Sequence, residues 1–335
     1  MKEEKLHTIS IMRVMAMLMI VAYHSMLYYT DNWWQLGGPT IPFWVKTAGI
    51  LNAIDLPMFV FISGILFGYL YITKDKYRNK KQFIIKKFRR LIIPYIFWGI
   101  FLIIAMPSLN KAENLFTGIG HLWFLLMLFE VFIIVILWAR FLCIKASQWH
   151  IVLIYICLCI SFALYHTYSS HHFFLCIYAT LFYLPAFLLG ICCIRFRFQD
   201  LIPIKYTKIV FFGALVLLFT YFYLSNSGVS FLIDYVIQML TGYTIVVCSY
   251  ILLSKRDKSG KGIPTIITHI DKLSMGIYIF NQIVINAFTM IPEVRLMLCK
   301  HYFIGVPILF TIGLAIPYLL ALLFSKNKYL KWTIG

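Results

Sequence analysis

Two ionisable side chains, Arg13 and His24, lie within the first apolar stretch of the chain. The spacing from residue 13 to residue 24 is close to three helical turns, so both side chains fall on nearly one face, about 16 Å apart along the axis. A guanidinium can bind a phosphate, a carboxylate or a developing oxyanion, and a neutral imidazole can take the proton of a hydroxyl nucleophile. Either residue alone has a structural interpretation, because Arg13 can extend to the membrane interface and His24 can bond a neighbouring helix. The pair on one face favours proton-transfer chemistry beside an anion-binding cation.

Polar residues also interrupt later apolar stretches. Asp55 and Ser63 share a helix face with Phe59, since residues four apart are neighbours on a helix. Glu130 lies in the middle of another apolar stretch, two helical turns after Trp123 and on the same side. We expect a carboxyl group at such a position to be paired with a cation or protonated.

Residues 73–90 form the most basic segment, with nine Lys and Arg residues that include Lys87 and Arg90. One interpretation is a cytoplasmic loop that sets membrane orientation and touches anionic lipid. The other is a phosphate clamp for a cytoplasmic donor such as a nucleotide thioester. The residues themselves fit both interpretations.

The composition indicates that these residues lie in membrane-embedded elements. The chain has 335 residues, 62% hydrophobic and 13% charged, with a mean hydropathy of +0.86. Soluble domains are about 45–50% apolar and 25% charged, so lipid must cover much of this surface. The net charge of +18 is spread over short loops, which argues against nucleic acid as a partner. Eight cysteines show no paired metal-ligand spacing, so we expect no metal and no disulfide framework.

A helix needs about 20 mostly apolar residues to cross a bilayer. Of the 30 Lys and Arg residues, 25 fall in every second loop, which predicts that these loops and both termini are cytoplasmic. The sequence therefore predicts an all-α, polytopic membrane bundle of about ten helices that forms one domain over residues 1–335, with no soluble domain. The ten predicted spans are 7–29, 48–72, 91–106, 121–139, 150–167, 173–194, 208–224, 231–254, 269–290 and 303–325.

Several segments, in order along nearly the whole chain, resemble the acyltransferase 3 family of bacterial membrane proteins. The first is an Arg, ten residues and a His, here RVMAMLMIVAYH at 13–24. Two departures stand out: Lys87 replaces the first Arg of the family's basic pair, and Asn281 occupies the place where many members have His. The other matching segments are IDLPMFVFISGILFG at 54–68, KKFRRLIIPY at 86–95, HLWFLLML at 121–128, LPAFLLG at 184–190, KLSMGIYIFNQ at 272–282 and KYLKWTIG at 328–335.

This resemblance implies an enzyme of the bacterial cell membrane that moves an acyl group to a hydroxyl of an extracytoplasmic carbohydrate or small molecule. The donor would be cytoplasmic acetyl-CoA or another acyl-CoA, used as a co-substrate, with no permanently bound cofactor; some relatives transfer succinyl. His24 and Arg13 would be catalytic, and Arg13, Lys87 and Arg90 would bind the donor. Residues expected on the acceptor side or in support are Asp55, Ser63, His121, Trp123, Glu130 and Asn281, with Trp33 and Trp34 nearby.

Two other functions stay open on the residues alone. A transporter or polysaccharide exporter would also have about ten helices and buried charges, although no repeated halves with matching Gly or Pro breaks are visible. A membrane sensor or structural protein would leave the shared face of Arg13 and His24 without a role.

Overall fold

A computed structural model provides the fold. It describes residues 4–30, 38–77, 79–106, 111–168, 175–224, 231–257 and 264–335, with the backbone alone for 4–6, 161–168 and 231–235. Every regular element in these ranges is helical. The α-helices are α1 (Glu4–Leu27), α2 (Pro42–Asn52), α3 (Asp55–Gly68), α4 (Lys80–Lys87), α5 (Ile93–Ala105), α6 (Trp123–Arg140), α7 (Gln148–Tyr168), α8 (Ile177–Arg195), α9 (Phe198–Leu201), α10 (Ile204–Leu224), α11 (Phe231–Asp257), α12 (Thr265–Thr289), α13 (Pro292–Lys300) and α14 (Tyr302–Lys326).

The predicted polytopic membrane bundle is confirmed. Eight helical stretches in the described part of the chain are long and apolar enough to cross a bilayer. A ninth is the bent pair α12 and α13, whose axes meet at 92°. The eight stretches are His7–Leu27, Pro42–Thr73, Lys80–Ala105, Ala112–Lys145, Ile177–Arg195, Ile204–Leu224, Val236–Arg256 and Tyr302–Lys326.

The directions of α6 and α8 support α7 as a further pass. The Thr180 hydroxyl, near the start of α8, lies 2.6 Å from a Glu130 carboxylate oxygen in α6. At the other end, Arg195 Nη1 lies 2.7 Å from the Leu142 carbonyl oxygen, just beyond α6. The two helices therefore run in the same direction. Because α7 connects them, α7 has to carry the chain back across the same distance.

The third predicted span, 91–106, belongs to a longer helical stretch, Lys80–Ala105. The hydropathy pattern did not predict the first part of this stretch, because that part is helical but rich in lysine. The Asn79 side chain begins it by accepting a hydrogen bond from the Gln82 amide at 3.0 Å. A π-helical turn, Phe88–Ile92, then joins α4 to α5.

The chain divides into two compact units. The first comprises Met1–Phe59 and Ile202–Ile334, and the second is essentially Val60–Leu201. In the first unit, α1 packs against α2, α11, α12 and α14. In the second unit, α6 packs against α4 and α8, while α7 packs against α8. That residues 1–335 act as one domain stays a prediction.

Candidate active site

Arg13 forms an ion pair with Asp271 in the first unit. Arg13 Nη1 lies 2.5 Å from one carboxylate oxygen of Asp271, and the Ser10 hydroxyl donates to the other at 2.7 Å. The side chains of Arg13 and Asp271 are 23% and 13% exposed. Sequence reasoning missed Asp271, although a single acidic residue at the start of the ninth predicted span was the signal available.

His24 is fixed by a hydrogen bond to Asn281. His24 Nδ1 lies 2.8 Å from Asn281 Oδ1, and both side chains are buried. Because an amide oxygen only accepts hydrogen bonds, Nδ1 carries the ring hydrogen in this arrangement. The neutral imidazole then has its lone pair on Nε2, which is the tautomer that a base requires.

Both pairs join the same two helices. Arg13 and His24 belong to α1, and their partners Asp271 and Asn281 belong to α12. The order of the two pairs shows that α1 and α12 run in the same direction. Both side chains therefore project from the face of α1 that meets α12, in agreement with the spacing from residue 13 to residue 24.

A short run of buried amides continues along α12. Gln282 Nε2 donates to Asn286 Oδ1 at 2.8 Å, and both side chains are buried. Within the described residues, Asn281 Nδ2 and Gln282 Oε1 have no hydrogen-bond partner. An amide left unsatisfied in apolar surroundings is costly, so these atoms favour a polar group or water beside them. Only Asn281 of these residues was predicted; an Asn-Gln pair inside an apolar span is the signal for Gln282.

Asp55 lies in the same unit, at the start of α3. Its side chain is fully buried, and its Oδ1 accepts the Leu56 amide hydrogen at 2.5 Å. No described residue bonds its Oδ2. Asp55 interacts electrostatically with Tyr23, whose ring centroid lies 5.7 Å from that of His24. The carboxyl group predicted to support the site is therefore within electrostatic range of Tyr23, the residue that precedes His24 in α1.

Lys87 and Arg90, in the basic segment of the second unit, have different surroundings. Lys87 Nζ lies 3.7 Å from the ring centroid of Phe132 and 5.5 Å from that of Phe83, so its ammonium makes cation–π interactions with both rings. Arg90 is exposed on the π-helical turn. Burial raises the pKa of the nearby Tyr77 phenol, and the positive charge of Arg90 acts in the opposite direction.

Glu130 binds the N-terminal end of α8. One carboxylate oxygen accepts the Cys176 amide hydrogen at 2.9 Å, and the other accepts the Thr180 hydroxyl at 2.6 Å. A carboxylate is favourable there, because the first amides of a helix lack intrahelical acceptors. Trp123 packs on the same helix, with its ring centroid 6.0 Å from that of Tyr183. Sequence reasoning did not anticipate this capping arrangement for Glu130.

The remaining predicted residues lie in the second unit or outside the description. His121 is buried in a turn that follows Gly118, whose φ of 103° is one that side chains rarely adopt. Ser63 is partly buried on α3. Trp33 and Trp34 lie outside the described residues. Arg13, His24, Asp55 and Asn281 thus share the first unit, and the second contains Ser63, Lys87, Arg90, His121, Trp123 and Glu130.

No group of three or more His, Cys, Asp or Glu residues in the described ranges could hold a metal ion. No curated protein and no solved structure matches the chain. The acyltransferase 3 family model, described as an acyltransferase domain, matches residues 6–326, nearly the whole chain. Together with the helices that can span a bilayer, this match shows that the chain belongs to the acyltransferase 3 family of membrane acyltransferases.

Proposed function

We propose that the protein transfers an acetyl group from cytoplasmic acetyl-CoA to a hydroxyl of an extracytoplasmic carbohydrate or small molecule, with His24 as the general base. The observation that carries this proposal is the 2.8 Å hydrogen bond between His24 Nδ1 and Asn281 Oδ1. It leaves Nε2 with a lone pair, and a base must present that lone pair to a hydroxyl group.

The chemistry balances around His24. Nε2 takes the hydroxyl proton while the hydroxyl oxygen attacks the thioester carbonyl carbon. The C–S bond then breaks, and the imidazolium returns the proton to the leaving thiolate. Asn281 Oδ1 stays bonded to Nδ1–H throughout and stabilises the transient charge, because a hydrogen bond to a charged donor is stronger than one to a neutral donor.

Arg13 supplies the fixed positive charge in this proposal. If the N-terminus is cytoplasmic, Arg13 lies in the cytoplasmic half of α1 and His24 in its outer half. A guanidinium suits the phosphates of the donor or the developing oxyanion of the thioester. The exposed Arg90 would contribute to the binding of donor phosphates, and Lys87 would add positive charge while packed on Phe132.

Asn281, which stands where many family members have His, can orient His24 as the proposal requires. The residue found in many family members at that position, His, can bond a neighbour through a ring nitrogen. An amide oxygen makes the same bond to Nδ1 without competing for the proton. Asn281 is therefore proposed to orient His24, and no separate acceptor-binding role is assigned to it.

Two measurements test the proposal. The first is mass spectrometry of surface glycans from a deletion strain, which should lack an acyl mass; the mass distinguishes acetyl from succinyl. The second is acyl transfer from labelled acetyl-CoA by detergent-purified protein. His24→Ala should lose about 10²–10⁴-fold in kcat, and His24→Gln should not restore it, because an amide does not accept the proton.

His301→Ala is the matched control, since His301 is exposed between α13 and α14 and should leave turnover unchanged. If folded His24→Ala retains near-wild-type turnover, His24 is a packing residue and the base is another group, with His121 the next to test. A protein that moves a solute across the membrane without consuming acyl-CoA would instead support the transporter interpretation.

A further inference from the structure

The carboxylate of Asp271 is held from two positions on α1. One oxygen accepts from Arg13 Nη1 at 2.5 Å, and the other accepts from the Ser10 hydroxyl at 2.7 Å. Ser10 and Arg13 are almost one helical turn apart, so they lie side by side on the same face. The carboxylate is therefore fixed in orientation as well as in distance.

Arg13 keeps most of its hydrogen-bonding capacity in this arrangement. A guanidinium has five N–H donors on three nitrogens. Only Nη1 contacts Asp271, and Arg13 has no other hydrogen-bond partner within the described part of the chain. Its side chain is 23% exposed, so part of the guanidinium remains accessible to a bound molecule.

A purely electrostatic role for Asp271 would look different. Neutralising an arginine inside a bilayer is best achieved by a bidentate contact, in which two guanidinium nitrogens meet the two carboxylate oxygens. Here the second oxygen is occupied by Ser10 instead. The geometry limits Asp271 to one edge of the guanidinium and leaves the other edge available.

We propose that Asp271 is a positioning residue for Arg13: with Ser10, it holds the guanidinium by one nitrogen so that the remaining N–H groups meet an oxygen of the acyl donor. This inference rests on the proposed function, in which Arg13 meets the donor. It adds two residues, Asp271 and Ser10, that the family resemblance did not indicate.

Asp271→Asn should affect CoA binding and turnover in opposite directions. Removing the carboxylate charge makes the surroundings of Arg13 more positive, so CoA, a polyanion, should bind as tightly as before or more tightly. Losing the fixed contact lets the guanidinium move, and a misplacement of about 1 Å can cost about 100-fold in rate. We therefore expect kcat to fall about 10- to 100-fold while the KM for acetyl-CoA stays level or falls.

The experiment uses the full-length protein in detergent. Acyl transfer is followed as release of free CoA from acetyl-CoA in the presence of the surface glycan fraction, and CoA binding is measured separately by calorimetry. Asp271→Glu retains the charge and should recover part of the lost kcat. Ser10→Ala should lower kcat by a smaller factor in the same direction. Glu293→Gln, at an exposed acidic residue of α13, is the matched control.

The double variant Arg13→Asp with Asp271→Arg separates stability from catalysis. It restores an ion pair between α1 and α12, so it should recover thermal stability relative to either single change but not acyl transfer. Recovery of both would overturn the inference. So would an Asp271→Asn protein whose kcat stays within twofold of wild type, or whose KM rises while kcat is unchanged.

Failure of the proposed function has a different signature. In that case the wild-type protein releases no CoA in the presence of the glycan fraction, and the proposed role of Asp271 is refuted together with the proposed function. An active wild type with an unaffected Asp271→Asn variant refutes the inference alone. If Asp271→Asn does not fold, the partial loss expected for Ser10→Ala still decides the question.

Discussion

The hydrogen bond from His24 to Asn281 makes a specific prediction for Asn281→Leu. Leucine has the same branched shape as asparagine, with methyl groups in place of the amide oxygen and nitrogen, but it accepts no hydrogen bond, so Nδ1–H would lose its 2.8 Å partner in a buried site. An unsatisfied buried donor costs about 1–3 kcal/mol. The ring can avoid that cost by turning or by moving its hydrogen to Nε2, and either change removes the base from the acceptor hydroxyl.

The magnitude follows from two contributions. A hydrogen bond to a charged group is worth about 1.5–3 kcal/mol, against about 0.5–1.5 for a neutral one, so the imidazolium loses about 1 kcal/mol more than the neutral ring. Loss of tautomer and orientation adds to this. Since about 1.4 kcal/mol is tenfold in rate, we expect Asn281→Leu to lower kcat about 10- to 100-fold. That is less than removal of His24 itself.

The assay is acyl transfer by purified protein at matched thermal stability. Asn281→Asp keeps an acceptor for Nδ1–H and should be more active than Asn281→Leu. Asn286→Leu is the control: it removes a buried amide of the same helix, whose Oδ1 accepts a hydrogen bond from Gln282 Nε2. A folded Asn281→Leu protein with at least half of the wild-type kcat would refute the reasoning, as would an equal loss in Asn286→Leu.

Three further predictions concern topology, donor binding and packing. Reporter fusions should place both termini in the cytoplasm, and an extracytoplasmic C-terminus would show that one span is miscounted. Removing the charge of Arg90 should raise the KM for acetyl-CoA more than removing that of Lys87, whose ammonium lies over an aromatic ring; a change in membrane orientation alone would support the topological role of this segment. Gly64→Ala should destabilise the protein by about 1–3 kcal/mol, because the added Cβ would overlap the Phe187 carbonyl oxygen. Gly213→Ala, where a Cβ meets nothing within 4 Å, should leave thermal stability unchanged, and equal stabilities of the two variants would contradict the packing assignment.

The sequence determined the class of fold because lipid imposes local rules. Each pass needs a long apolar run, and Lys and Arg gather in alternate loops, so a bundle of many membrane-spanning helices and a predicted orientation follow from neighbouring residues alone. The shared face of Arg13 and His24 is equally local, since it depends only on the helical repeat. Those predictions needed no knowledge of which helices touch.

Tertiary structure decided what the polar residues contact. Asp271 and Asn281 lie more than 250 positions along the chain from their partners in α1, and no periodicity relates them. The sequence marked Asn281 only as a departure from a family pattern, whereas packing of α12 on α1 makes it the partner of His24. Glu130 shows the same limit: its place inside an apolar span was predictable, but its partners are amide and hydroxyl groups at the start of α8. Hydropathy indicates which segments can enter the bilayer. Which of the polar side chains of Arg13, His24 and Glu130 meet which partners depends on how the helices pack, because those partners lie on other segments.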